Sequence, residues 1–92
     1  MELMSFPDAL KLCLAGAKIS NTNWRGLGAY LFSMPGYVSV AANETLAKGS
    51  GIEIGTKVCI APYLMRFNSA GVYVPYNVTN IDIYSDNWYV VK

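Results

Sequence analysis

No histidine occurs anywhere in these 92 residues. That removes the commonest general base at neutral pH, the usual partner of a nucleophilic side chain and the most frequent zinc ligand. Cysteine is almost as scarce. Cys13 and Cys59 stand alone in separate apolar runs, so there is neither a disulfide framework nor a metal-binding spacing. Both read as reduced, buried core thiols of a cytosolic protein. Charged residues make up only 14% of the chain, with a formal net charge of +1. A soluble domain usually carries about a quarter. Lys and Arg are scattered, so the electrostatic footprint of a DNA- or RNA-backbone binder is missing. Long apolar runs are missing too. The best candidate, Leu10 to Ala17, is bracketed by Lys11 and Lys18 and falls short of the roughly 18–20 residues that a membrane helix needs. No basic segment followed by an apolar core stands at the N-terminus, so no signal peptide and no membrane residence are expected. Gly26-x-Gly28 is too short for a phosphate loop. Asp82 and Asp86, four apart, are the only hint of paired carboxylates, and such a pair equally caps a turn and faces water. Nothing here asks for catalysis, a metal or a cofactor.

What the chain has in excess is apolar and aromatic surface, 53% and 13% of its residues. On a chain this short, with no membrane span, that excess points to homo-oligomerisation. One domain covering residues 1–92 is expected. Ser5 can cap a helix that begins at Phe6-Pro7-Asp8, with Pro7 in the first turn and Asp8 near the positive end. Ala9, Leu10, Cys13, Leu14 and Ala17 give one apolar stripe, and Gly16 supplies a left-handed exit. Lys18 to Ser20 reads as a brief extended segment, Ala29 to Met34 as a strand, and Tyr37 to Val40 as its continuation beyond Pro35-Gly36. Ala41 to Thr56, glycine-rich and without clear periodicity, reads as a mobile loop that can hold a helical turn over Ala42 to Lys48. Val58 to Phe67 reads as one strand with Pro62 at a bulge or edge. Asn68-Ser69-Ala70-Gly71 is a hairpin turn into Val72 to Tyr76. Asn77 to Ser85 can hold a short helical turn, and Asn87 to Val91 is a last strand with Trp88 in the core. The fold class is α+β: a short N-terminal helix packed on an antiparallel β-sheet built from hairpins.

Two polar, turn-rich stretches mix aromatics with amides and hydroxyls: Asn21 to Gly26 and Pro75 to Asp82. This mixture suits a nucleotide, because an aromatic face stacks a purine, amides and hydroxyls read its edges, and Arg meets a phosphate. Each member also has a plain structural reading. On composition Trp24 reads first as a half-buried core residue, Tyr76 equally as a strand-end aromatic, and Thr79 and Asp82 most often as local turn formers.

The order of these segments resembles the second Thoeris anti-defence family of phage and prophage proteins. The resemblance rests on Phe6-Pro7-Asp8-Ala9-Leu10, Gly16-Ala17-Lys18-Ile19, Trp24 to Leu31, Pro62 to Met65, Gly71 to Asp82 and Asp86 to Val91. It leaves out only the region from Tyr37 to Val58. Asn21 stands where the family commonly has Arg, Arg25 where it has Asn, and Leu27 where it has Lys. Tyr76 replaces a Trp and keeps a stacking face; Thr79 replaces a Ser and keeps the hydroxyl.

The resemblance implies a sponge in the cytoplasm of the infected bacterial host. Such a protein binds an immune signal of the cyclic ADP-ribose class, or a cyclic oligonucleotide such as a cyclic dinucleotide, and holds it uncleaved. It also implies a homo-oligomer, a dimer of dimers and so a homotetramer, with pockets at subunit interfaces. In that reading Trp24 and Tyr76 flank the purine and Phe6 adds an apolar wall. Asn23, Thr79 and Asp82 read ribose hydroxyls or base edges, and Arg25 meets the pyrophosphate. The alternatives are a protein-interaction module that presents the aromatics to a partner, and a hydrolase of the signal nucleotide using Asp82 and Asp86.

Overall fold

The structure, a computed structural model, describes residues 2–24 and 26–92, with the backbone alone over residues 37–41. Helix α1 spans Phe6–Leu14. Ser5 caps it, its Oγ accepting from the Asp8 N–H at 3.4 Å. The stripe that reaches the core is Phe6, Ala9 and Cys13, with Leu10 half-buried beside them. Leu14, expected in the stripe, is 62% exposed, because it ends the helix where the chain turns away at Gly16, whose φ is +113°. Burial pushes the Cys13 thiol above its ordinary pKa, so it behaves as a small apolar side chain.

Among the described residues seven strands follow. They are β1 (Lys18–Asn21), β2 (Tyr30–Met34), β3 (Tyr37–Ala41), β4 (Lys57–Ile60), β5 (Tyr63–Phe67), β6 (Tyr73–Pro75) and β7 (Trp88–Val91). Five of them form an antiparallel sheet in the order β6-β5-β2-β1-β7. Helix α1 packs on β1, β2 and β7, burying Ile19, Leu31 and Trp88 beneath Phe6, Ala9 and Cys13. This is the expected α+β arrangement.

The alternation of side chains across a strand sends every second residue to the opposite face. Tyr30, Phe32 and Met34 therefore pair with Phe67, Met65 and Tyr63 there, and Phe67 and Met65 with Tyr73 and Pro75. Their rings touch: Tyr30 and Phe67 stack with centroids 5.1 Å apart, and Phe67 and Tyr73 lie at 4.9 Å. Among the described residues α1 packs on the other face, and a cation close to this one is Lys18, whose Nζ is 5.0 Å from the Tyr30 ring centroid.

In the stretch from Tyr37 to Ile60 the strand expected over Tyr37 to Val40 is present as β3, and the departure from expectation lies in its pairing. Strands β3 and β4 pair only with each other, and helix α2 (Glu44–Ser50) closes the ribbon between them. Asn43 caps α2 by accepting from the Leu46 N–H at 2.8 Å, and Gly51 ends it at φ +80°. The helical turn expected over Ala42 to Lys48 is thus present as a capped helix, shifted by two residues, within the stretch expected as a loop. The strand expected over Val58 to Phe67 is broken at Ala61-Pro62, one half entering the ribbon and the other the main sheet. Gly36 is needed at the root of the ribbon, since a Cβ there would collide with the backbone of Ile60, Ala61 and Pro62. The ribbon contributes to an elongated molecule, 47 by 26 by 25 Å, with a radius of gyration of 15.9 Å. A compact chain of this length has about 12 Å. Cys59, expected in the core, is exposed because β4 belongs to the ribbon and not to the helix-covered sheet.

Candidate functional site

Strand β1 leads into a single 3-10 turn, Thr22–Trp24, and the buried side chain of Asn21 holds that turn in place. Its Oδ1 accepts from the Asn23 N–H at 3.0 Å, and its Nδ2 donates to Ser85 Oγ at 2.9 Å. The Thr22 N–H adds a bond to the Asn87 carbonyl at 3.1 Å. Asn21 is therefore a brace between the turn and the far end of the chain, which gives the polar residue at this position a structural task. Asn23 is exposed on the same turn.

Trp24 is fixed edge-on between two rings. Its centroid lies 5.2 Å from that of Trp88 at an interplanar angle of 83°, and 5.8 Å from that of Tyr76 at 76°. These are favourable geometries for aromatic quadrupoles. Phe6 completes the cluster from the core side, 5.2 Å from Trp88. With only 6% of its surface exposed, Phe6 supports the ring that supports Trp24.

The second stretch is organised by Asp82. Helix α3 (Asn80–Tyr84) opens with a capping box in which Thr79 Oγ1 accepts from the Asp82 N–H at 3.3 Å and Asp82 Oδ2 accepts from the Thr79 N–H at 2.9 Å. The same carboxylate oxygen accepts from the Tyr76 hydroxyl at 2.6 Å. The Asp82 carbonyl accepts from the Trp88 indole N–H at 2.9 Å. A buried carboxylate is tolerated when it is hydrogen-bonded, here through two bonds to Oδ2. Burial raises the Tyr76 pKa above its ordinary value, the hydrogen bond and charge of Asp82 raise it further, and Arg66 opposes both. At neutral pH the phenol is a fixed donor to Asp82.

Asp86 lies beyond the end of α3 at Tyr84, so the two carboxylates do not share a helix face. The loss of that geometry removes the one feature that suggested paired acid–base groups.

Trp24, Tyr76, Thr79 and Asp82 thus come together through direct contacts, and Phe6 joins them through Trp88. Arg25 lies outside the described residues. Sequence reading missed Arg66 of β5. Its guanidinium carbon sits 4.7 Å from the Trp24 ring centroid and 5.9 Å from that of Tyr76. The available signal was a lone charge in the apolar run Tyr63–Phe67, at the alternation phase of Leu64, which packs against the core.

Among the described residues no group of His, Cys, Asp and Glu could hold a metal ion, and no helix is long and apolar enough to cross a membrane. No curated protein matches the chain in sequence. Residues 4–91 do match the Thoeris anti-defense 2-like domain. The match runs from the residue before the Ser5 cap to the last residue of β7, taking in both site stretches and the ribbon between them, and the chain belongs to the Thoeris anti-defense 2-like family.

Proposed function

We propose that this chain acts as a sponge in the cytoplasm of an infected bacterial host, binding a cyclic ADP-ribose-type immune signal and holding it intact. The observation that carries the reading is the Trp24–Tyr76 pair: two rings locked nearly perpendicular and braced by Trp88, with Asn23 exposed on the turn that bears Trp24 and Thr79 tied to Tyr76 through Asp82. A purine stacks on such a platform while ribose hydroxyls meet the polar side chains of Asn23 and Thr79. Asp82 has a supporting part here, because its carboxylate is already engaged by Tyr76 and Thr79 and orients both. Membership of an anti-defence family supports the wider role. A sponge must hold its ligand far below signalling concentration, and nanomolar affinity corresponds to about −12 kcal/mol.

The deciding experiment is release. Protein is incubated with cyclic ADP-ribose isomers and cyclic dinucleotides, freed of unbound ligand, denatured by heat, and the supernatant analysed by mass spectrometry. Intact ligand at near-stoichiometric yield is expected. Degraded ligand identifies a hydrolase, and the absence of any retained nucleotide turns the aromatics over to a protein partner.

The reading includes a homo-oligomer, a dimer of dimers. The sheet face away from α1 supports it: exposed Tyr73 and half-buried Tyr30, Phe32, Met65 and Phe67 form an apolar, mostly aromatic patch of a kind that a partner subunit can cover. Multi-angle light scattering should give a mass above that of the protomer, and Phe32→Glu together with Tyr73→Glu should lower it to the protomer mass. A monomeric wild-type chain would sink this part of the reading while leaving the release experiment to stand alone.

A further inference from the structure

The geometry points to Arg66 as the group that binds the ligand's phosphate, an assignment that rests on the sponge reading and specifies which anion-binding side chain it uses. Strand β5 sends Tyr63, Met65 and Phe67 to the face away from α1 and leaves Leu64 and Arg66 on the side of the helices. Arg66 is thus a cation placed among apolar rings. Partial burial of a guanidinium is costly unless its charge and donors are matched, and here the matching is incomplete. Nε is buried and has no hydrogen-bond partner among the described residues. The carboxylate that organises this side, Asp82, is occupied by the Tyr76 hydroxyl and the Thr79 N–H. What holds the guanidinium is the ring face of Trp24 at 4.7 Å, with Tyr76 at 5.9 Å.

A stacked guanidinium keeps its charge and, with Nε enclosed, leaves the in-plane fork of Nη–H donors to meet a ligand. That fork matches two oxygens of a phosphate or pyrophosphate, and the resulting bonds are charge-assisted. The placement also matches the chemistry of a nucleotide. Arg66 lies against the same two rings that would flank the base, so base and phosphate partners are fixed to each other before the ligand arrives. A lysine could not substitute, because an ammonium lacks the planar fork and stacks poorly.

The test uses the fact that the chain has two arginines, Arg25 and Arg66, so the Nε–Hε region of a proton–nitrogen NMR spectrum is simple. Arg25→Lys and Arg66→Lys assign the signals. Wild-type protein is then titrated with inorganic pyrophosphate, with sodium chloride at matched ionic strength as the control. A saturable shift of the Arg66 signal, absent with chloride, is expected. In parallel, cyclic ADP-ribose retention by Arg66→Gln should fall roughly 10- to 100-fold. An Arg66 signal that pyrophosphate does not move overturns the assignment, as does undiminished retention by a folded Arg66→Gln. If wild-type protein retains no cyclic nucleotide, the sponge reading fails on its own terms, and the pyrophosphate titration still decides whether Arg66 takes an anion.

Discussion

Trp88→Ala is expected to lower the unfolding free energy by about 3–5 kcal/mol, the largest stability loss of any single truncation in this chain. Trp88 is fully buried and holds together elements distant in sequence. It touches Phe6 of α1 and Trp24 of the 3-10 turn, and its indole N–H reaches the Asp82 carbonyl in α3. Its backbone exchanges two hydrogen bonds with Met4, at 2.8 and 3.1 Å, which ties down the chain just before α1. Removing the side chain leaves a cavity that rigid strand neighbours cannot close, and strips a buried carbonyl of its donor. Domains of this size have about 5–15 kcal/mol in total, so much of the stability goes. Urea unfolding at one fixed protein concentration measures the loss, since self-association would otherwise enter the result. Trp88→Phe keeps most of the packing and deletes the N–H donor, and should cost about 1–3 kcal/mol. A Trp88→Ala variant as stable as wild type would mean that the core does not depend on this ring.

Trp88 was legible in the sequence because its strand lies near the chain end between polar residues and has no competing pattern. The same holds for α1, where Ser5, Pro7 and Asp8 act on their own helix, and for the Asn68–Gly71 turn, where Asn68 Oδ1 accepts from the N–H groups of Ala70 and Val72. The Thr79–Asp82 cap is local as well. What stayed hidden depends on distant partners. Val58 to Phe67 is apolar apart from Arg66, and Pro62 marks a bulge or an edge in it without saying that the two halves enter different sheets. The break is dictated by pairing, with β4 against β3 and β5 against β2, and by the close backbone approach at Gly36. Helix α2 carries a good cap in Asn43, but Gly49 and the neighbouring Gly51 blur its period. The site was half legible for a related reason. Amides and aromatics at turns advertise themselves, whereas Arg66 acquires meaning only when β5 brings it under Trp24. The aromatic face away from α1 was visible as an excess in composition and not as a surface, since alternating apolar residues on both sides of β5 do not say which side a helix will cover.

Trp24→Ala separates the binding role of the cluster from its structural one, and the expected result is at least a roughly 100-fold fall in ligand retention with the fold intact. Stacking of one base on an aromatic ring is worth about 1–3 kcal/mol. Trp24 contributes more than a stacking face, because the Arg66 guanidinium rests on it and would lose its orientation when the ring is gone. The two effects act on the same ligand and together reach the stated loss. Stability should suffer less than in Trp88→Ala, because Trp24 is only half-buried and the turn that bears it is held by Asn21 through bonds to Asn23 and Ser85. Trp24→Phe preserves a ring for stacking but offers a smaller platform to the guanidinium, and should retain ligand at an intermediate level. Isothermal calorimetry with cyclic ADP-ribose and circular dichroism on the same samples give both quantities. If Trp24→Ala unfolds while Trp24→Phe binds like wild type, the ring is a core element and the platform reading falls. If both variants fold and binding follows ring size, the turn after β1 exists to present this indole to a ligand, and the brace formed by Asn21 is what keeps it ready.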